Sequence, residues 1–166
     1  DMSTPRTTEL STPKIVWEPA QKWEFWQWGG CGDETTTSLT DFRVGPYIGP
    51  SSGWQLQRRQ HQLRLLQVLR EHPPKILWLQ PANPPSQIGE KLKRYYAFLE
   101  EAGRTQLANG NHLVVVGAKR TPVWDVASIS ALTQLPQTNP HELDWCRIPI
   151  IDPESHRPWM RTTSYH

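Results

Sequence analysis

The sequence predicts an α/β layer with a mostly parallel sheet, and three observations carry that expectation. Short apolar runs bounded by Gly and Pro alternate with long amphipathic stretches, in the order strand, strand, helix, strand, helix, strand, helix, strand. The 166 residues are enough for one domain of ordinary size, with little room for a second. Only 36% of residues are hydrophobic, but nine of them are Trp, whose burial capacity a residue count understates. Sixteen Pro is about twice ordinary usage, so extended segments are expected at both ends of the chain.

Residues 1–14 are rich in Thr, Ser and Pro with one Leu, and read as a flexible or wrapping arm ahead of a single domain over 15–166. The stretch 15–28 carries four Trp and one Phe. Trp23, Phe25 and Gln27 alternate with Glu24, Trp26 and Trp28, which puts aromatics on both faces of a strand. Gly29-Gly30-Cys31-Gly32-Asp33 is a turn by composition, and residues 42–48 read as a second strand stopped by Gly49-Pro50. Residues 54–72 predict a helix, with Leu63, Leu66 and Leu69 at helical spacing, Leu65 and Val68 widening the stripe, and Pro73-Pro74 ending it.

Residues 75–79 form an apolar run between punctuators, hence a buried strand, and 80–87 a loop held open by three prolines. A second helix is expected over 88–107, with Ile88, Leu92, Tyr95, Leu99 and Ala102 on one face and Asn109-Gly110 as its stop. Residues 112–116 are the most β-prone stretch, 126–135 predict a third helix, and 145–151 a last strand before a polar, aromatic tail. Open parallel sheets bind ligands outside the carboxyl ends of their strands. Functional residues are therefore sought at 29–33, 49–53, 80–86 and 117–122.

Several function classes lose support at once. Net charge is +2, which gives no general electrostatic footprint for nucleic acid. Cys31 and Cys146 make no disulfide framework; they bridge only if their Cα atoms come within about 7 Å. No Cys/His cluster has metal spacing, and the six His are scattered. No apolar run approaches the ~18–20 residues of a membrane helix. The start at Asp1, without a leader, is expected of a processed product or fragment. An intracellular, organellar compartment reached after loss of a targeting segment fits that reading.

Gly29, Gly30 and Gly32 after an apolar strand have two readings, a nucleotide-cradling turn and a plain turn; dinucleotide and phosphate-loop spacings are both absent. Arg58, Arg59, Arg64, Arg70, Lys91, Lys93 and Arg94 read as a solvated face or, with Tyr95 and Tyr96, as a nucleic-acid surface. Trp17, Trp23, Trp26 and Trp28 are the expected partner-binding residues, because Trp anchors interfaces and four rings exceed what an edge strand delivers to one core; the other reading is that they cap the open edge of the sheet.

Read together, the loops resemble the methyltransferase-like segment of retroelement polyproteins, itself similar to cytosine-C5 DNA methyltransferases. Residues 25–33 occupy the family's aromatic strand and Gly-rich turn, and Gly53-Trp54-Gln55-Leu56 its helix start. Leu77-Trp78-Leu79-Gln80-Pro81-Ala82-Asn83-Pro84 occupies the strand and catalytic loop. Residues 157–164 resemble its closing Lys-Pro-Trp…Thr-Thr-Ser run. The resemblance implies a Rossmann-like layer that binds S-adenosylmethionine. It also implies lost chemistry: the nucleophile position falls on Asn83, the acid on Val116, the ribose-binding acid on Gly49 and the helix-start Asp on Gln55. The expected function is therefore a catalytically inactive domain, without cofactor, serving as a structural or protein-binding subunit of a larger assembly. The alternative is an S-adenosylmethionine-dependent nucleic-acid methyltransferase or its nucleic-acid-binding remnant, with Gly29, Gly30 and Gly32 as the vestigial cofactor turn.

Overall fold

A computed structural model describes residues 12–15, 22–30, 43–144 and 162–165. Five strands form one sheet in the order β1-β2-β3-β5-β4: β1 is Phe25–Gly29, β2 Ile76–Gln80, β3 His112–Gly117, β4 His141–Asp144 and β5 Thr162–Tyr165. Strands β1, β2 and β3 pair in parallel, with Trp26 opposite Leu77 and Leu77 opposite Leu113. β5 is antiparallel to both of its neighbours, so it alone runs against the other four. The expected α/β class with a mostly parallel sheet is the observed one.

The helices are α1 (Arg59–Glu71), α2 (Glu90–Ala108) and α3 (Ala127–Thr133), with 3-10 turns at Pro50–Ser52 and Pro122–Asp125. α2 contacts β2, β3, α1 and α3, so the helices form a layer with α2 at its centre. One apolar cluster joins that layer to Trp26, Trp28, Leu77, Leu79 and Val115 on the sheet. On α2 the buried stripe runs through Tyr95, Tyr96, Phe98, Leu99 and Ala102, close to the expected face. α1 begins later than the periodicity implies. The Gln55 N–H donates to His61 Nδ1 at 3.0 Å and Gln62 Nε2 donates to the Leu56 carbonyl at 2.8 Å, holding residues 54–58 in turns. Its buried stripe takes in His61 and Gln62, while Leu63 is turned out at 48% exposure.

Gln106 closes the layer at the amino end of the sheet. Buried in α2, it donates through Nε2 to the Pro74 carbonyl at 2.8 Å and the His112 carbonyl at 3.0 Å, joining the starts of β2 and β3.

Three expectations need correction. The strand expected over 42–48 is seen, from residue 43 on, as two parallel bridges, Phe25 with Val44 and Trp28 with Ile48, because Pro46 has no N–H to continue the ladder between them. The polar tail contains β5, a four-residue strand of the kind Thr and Tyr favour, and β4 precedes the strand expected at 145–151. The third correction concerns the tryptophans. β1 is not an edge: residues 43–48 run along one side and β2 along the other, with the Gly29 N–H donating to the Ile48 carbonyl at 2.7 Å. Trp26 and Trp28, expected at a partner surface, are therefore core, at 0% and 1% exposure. Trp28 stacks on Phe98 at 5.6 Å, and Trp26 Nε1 donates to the Pro46 carbonyl at 2.7 Å. Trp23 is half-buried against Trp26, their ring centroids 4.9 Å apart. Trp17, Gly32, Cys31, Cys146 and the strand expected at 145–151 lie outside the described residues.

Candidate functional site

β1 is where the chain changes direction across the sheet, since residues 43–48 pair on one side of it and β2 on the other. A crevice opens at the carboxyl ends of such strands. Here a cavity of about 550 Å³ lies against Gly29 and Gly30 after β1 and Gln80, Pro81, Ala82 and Asn83 after β2. Its opposite wall is Trp54 to Arg58, with Lys91 and Tyr95 from the first turns of α2. Three of the expected places therefore converge: the Gly turn, residues 49–53 through Pro50, and the Pro-rich loop. Gly29, Gly30, Asn83 and Gln55 all line the cavity, whereas Val116 lies apart from it, buried in β3 opposite Tyr165.

The Gly turn answers first to the protein's own chain. Gly29 has φ +87°, and a Cβ there would run into the Gln80 carbonyl oxygen; one on Gly30, at φ +88°, would lie 2.6 Å from Gln80 Oε1. Gln27, buried in β1, donates through Nε2 to the Gly29 carbonyl at 3.0 Å. The close approach that demands glycine is thus made by Gln80, which favours the plain-turn reading of Gly29.

At Gly49 the backbone is extended and any residue could adopt it, but the space is taken. A Cβ would collide with the Tyr47 ring, whose hydroxyl donates to the Gly30 carbonyl at 2.8 Å. A side chain at position 49 would have to displace the Tyr47 ring, and Gly49 itself offers no acceptor for the ribose that the resemblance implies. The residues present do not fit the S-adenosylmethionine that the resemblance implies.

The Pro-rich loop is fixed from α2. The Ala82 N–H donates to Tyr95 Oη at 3.0 Å, and Tyr96 Oη donates to the Ala82 carbonyl at 2.6 Å. Adjacent tyrosines so satisfy both backbone groups of one residue and set Asn83 at the exposed rim. Sequence reasoning placed Tyr95 on the buried face without finding this clamp, which needs the loop and the helix in contact. The local signal was the Tyr95-Tyr96 pair, since buried hydroxyls require partners.

Burial pushes the Tyr95 hydroxyl up to about 12, against the lowering effect of its Ala82 bond, and burial also raises Tyr96. An unfolded chain releases a tyrosine proton near pH 10, so the folded state holds it longer. The stabilisation is complete below that value and fades as pH rises towards 12. Denaturant melts should show a loss of about 2–3 kcal/mol from Tyr95 across this interval. Tyr95→Phe, less stable at neutral pH, should show a shallower alkaline slope. Equal slopes for the two proteins would mean the hydroxyl is hydrated.

No Asp, Glu, Cys, His, Ser or Thr is among the described residues lining the cavity. What lines it is amides, prolines, aromatics and two cations. A second depression of about 570 Å³ adjoins it and shares Gln57, Arg58 and Lys91. Among the described residues no group of His, Cys, Asp and Glu could hold a metal ion, and no helix is long and apolar enough to cross a membrane. Compared with protein-family models, curated proteins and solved structures, the chain finds no match.

Proposed function

We propose that this chain is a catalytically inactive, methyltransferase-like domain that works by binding, as a structural subunit holding a partner protein in a larger assembly. The observation that carries the reading is the lining of the crevice. Where covalent methyl transfer needs a thiolate and an acid, the described residues offer the Asn83 amide, the Gln55 and Gln80 amides and the Tyr95 hydroxyl. An amide neither attacks carbon nor exchanges a proton near neutral pH. Tyr47 in the space beside Gly49 supports the same reading, since a side chain there would have to displace its ring and Gly49 offers a ribose no acceptor.

The sheet, parallel but for one reversed strand, is compatible with a Rossmann-like layer. The methyltransferase type rests on the loop resemblance. Protein association rests on the absence of chemistry and on the rim of the crevice, because Trp26 and Trp28 have moved to the core.

The experiment is transfer of a labelled methyl group from S-adenosylmethionine to cytosine-containing DNA or RNA. Incorporation should equal the blank for the natural chain and for Asn83→Cys, since a restored thiol still lacks an acid beside it. Incorporation abolished by Asn83→Ala would overturn the reading. Calorimetry gives a second check. Gly49→Asp should not create S-adenosylmethionine binding, because the new side chain must first displace the Tyr47 ring. That overlap should cost about 1–3 kcal/mol of stability. Tight binding by the natural chain would favour the methyltransferase alternative.

A further inference from the structure

We propose that the basic depression beside the crevice is a docking site for an acidic segment of a partner protein, carrying one apolar side chain that enters the crevice beside Leu56. The proposal rests on the binding-module reading and names the chemistry of the partner.

Four cations meet in one place. Arg58 and Arg59 come from the start of α1, and Lys91 and Arg94 from the start of α2. Elsewhere Arg43 pairs with Glu24 at 3.3 Å and Arg104 with Glu100 at 2.8 Å. The one acid of the depression, Glu90, pairs with Lys93 at 3.5 Å. Arg58, Arg59, Lys91 and Arg94 have no ion-pair partner among the described residues. These cations face solvent together in one depression, so an arriving anion meets all four.

Position sharpens the point. A helix amino terminus carries partial positive charge and favours Asp or Glu in its first turn. α1 has no acid there, no side-chain cap, and Arg58 and Arg59 instead. For folding alone this is the wrong sign. Local rules broken without a folding gain mark functional places.

The neighbouring cavity supplies the second half of the recognition. It shares Arg58 and Lys91 with the basic depression and adds Trp54, Leu56 and Pro81. An occupant with carboxylates and one aliphatic or aromatic side chain satisfies both parts. A single-stranded nucleic acid fits less well. Its bases stack on open aromatic faces, and here Trp54 and Tyr95 are 2% and 3% exposed.

The test uses the full chain and a short fluorescein-labelled peptide of glutamates around a central phenylalanine, read by anisotropy. The controls are the same peptide with glutamines and an oligothymidylate. The acidic peptide should bind and weaken as salt is raised. Arg58→Glu and Arg94→Glu should each weaken it tenfold or more, while Arg70→Glu, an equal charge change at the far end of α1, should leave it within twofold. Arg58→Glu should keep or raise the melting temperature, because an acid suits that helix end. This separates a lost contact from a lost fold.

Absence of peptide binding, equal loss in Arg70→Glu, or tighter binding of oligothymidylate through Arg58 would each overturn the proposal. If a co-purified partner stays attached to Arg58→Glu, the proposal falls and the binding-module reading stands. Methyl transfer by the natural chain would instead remove that reading, whatever the peptide does.

Discussion

Trp26→Ala is expected to remove about 3–5 kcal/mol of stability, as loss of a large buried aromatic does. Set against the roughly 5–15 kcal/mol of a typical domain, that leaves the chain marginal or unfolded at room temperature. The indole is fully enclosed, its ring packs on both Trp23 and Trp28, and its N–H is committed to the Pro46 carbonyl. Trp23→Ala, half-buried at the start of the strand, should cost less than half as much. The contrast between Trp26→Phe and Trp28→Phe tests the account more finely. Both lose ring volume, but Trp26→Phe also gives up the bond to the Pro46 carbonyl. Trp28→Phe removes a buried N–H that has no hydrogen-bond partner among the described residues. An unmade bond of that kind costs about 1–3 kcal/mol, so Trp28→Phe should be clearly the milder change in urea melts. If Trp26→Ala melts normally and only weakens a partner, the core assignment is wrong.

Gly29→Ala should be the most damaging small change at the crevice, at about 2–5 kcal/mol. Two penalties coincide there. A φ of +87° is strained for alanine, and the added methyl meets the Gln80 backbone, which is locked into β2 and cannot swing aside. Gly30→Ala carries the same φ strain, but its methyl meets the tip of the Gln80 side chain, which can rotate away. It should cost about 1–2 kcal/mol. Urea midpoints with unchanged slopes would establish both values as losses of folded-state stability. Equal costs at the two positions would show that the Gln80 carbonyl does not set the turn.

These contrasts also mark what could be read from the sequence. The long helices were legible because their apolar spacing is a local property, as at Tyr95, Leu99 and Ala102. The convergence of the Gly turn and the Pro-rich loop was legible too, because parallel strands bring their carboxyl ends together. The burial of Trp26 and Trp28 was not, because it depends on which segment lies beside β1. That neighbour, residues 43–48, reads as a strand, but nothing in its sequence says that it lies beside β1. Leu63 was assigned to the buried stripe from spacing alone, yet residues 54–58 turn before α1 begins and rotate the helix so that His61 and Gln62 face inward. At the site, the absence of an acid at Gly49 was visible, but the Tyr47 ring in the space that a side chain there would need was not. Nor could the gathering of Arg58, Arg59, Lys91 and Arg94 be told from a solvated face until α1 and α2 were set with their starts together.

The place of β5 bears on the order in which the molecule is assembled as it is made. β4 pairs with β5 and with no other strand among the described residues, and β5 is what connects it to β3. On the ribosome β4 is therefore synthesised before the one strand that it joins among the described residues. The nascent chain can complete the three parallel strands and their helices from residues up to 133, but it must carry residues 141–144 without a place in the sheet until residues 162–165 have left the exit tunnel. Since a strand segment with both edges open is a template for wrong pairing, the interval between those two stretches is the period in which residues 141–144 are most exposed to mispairing.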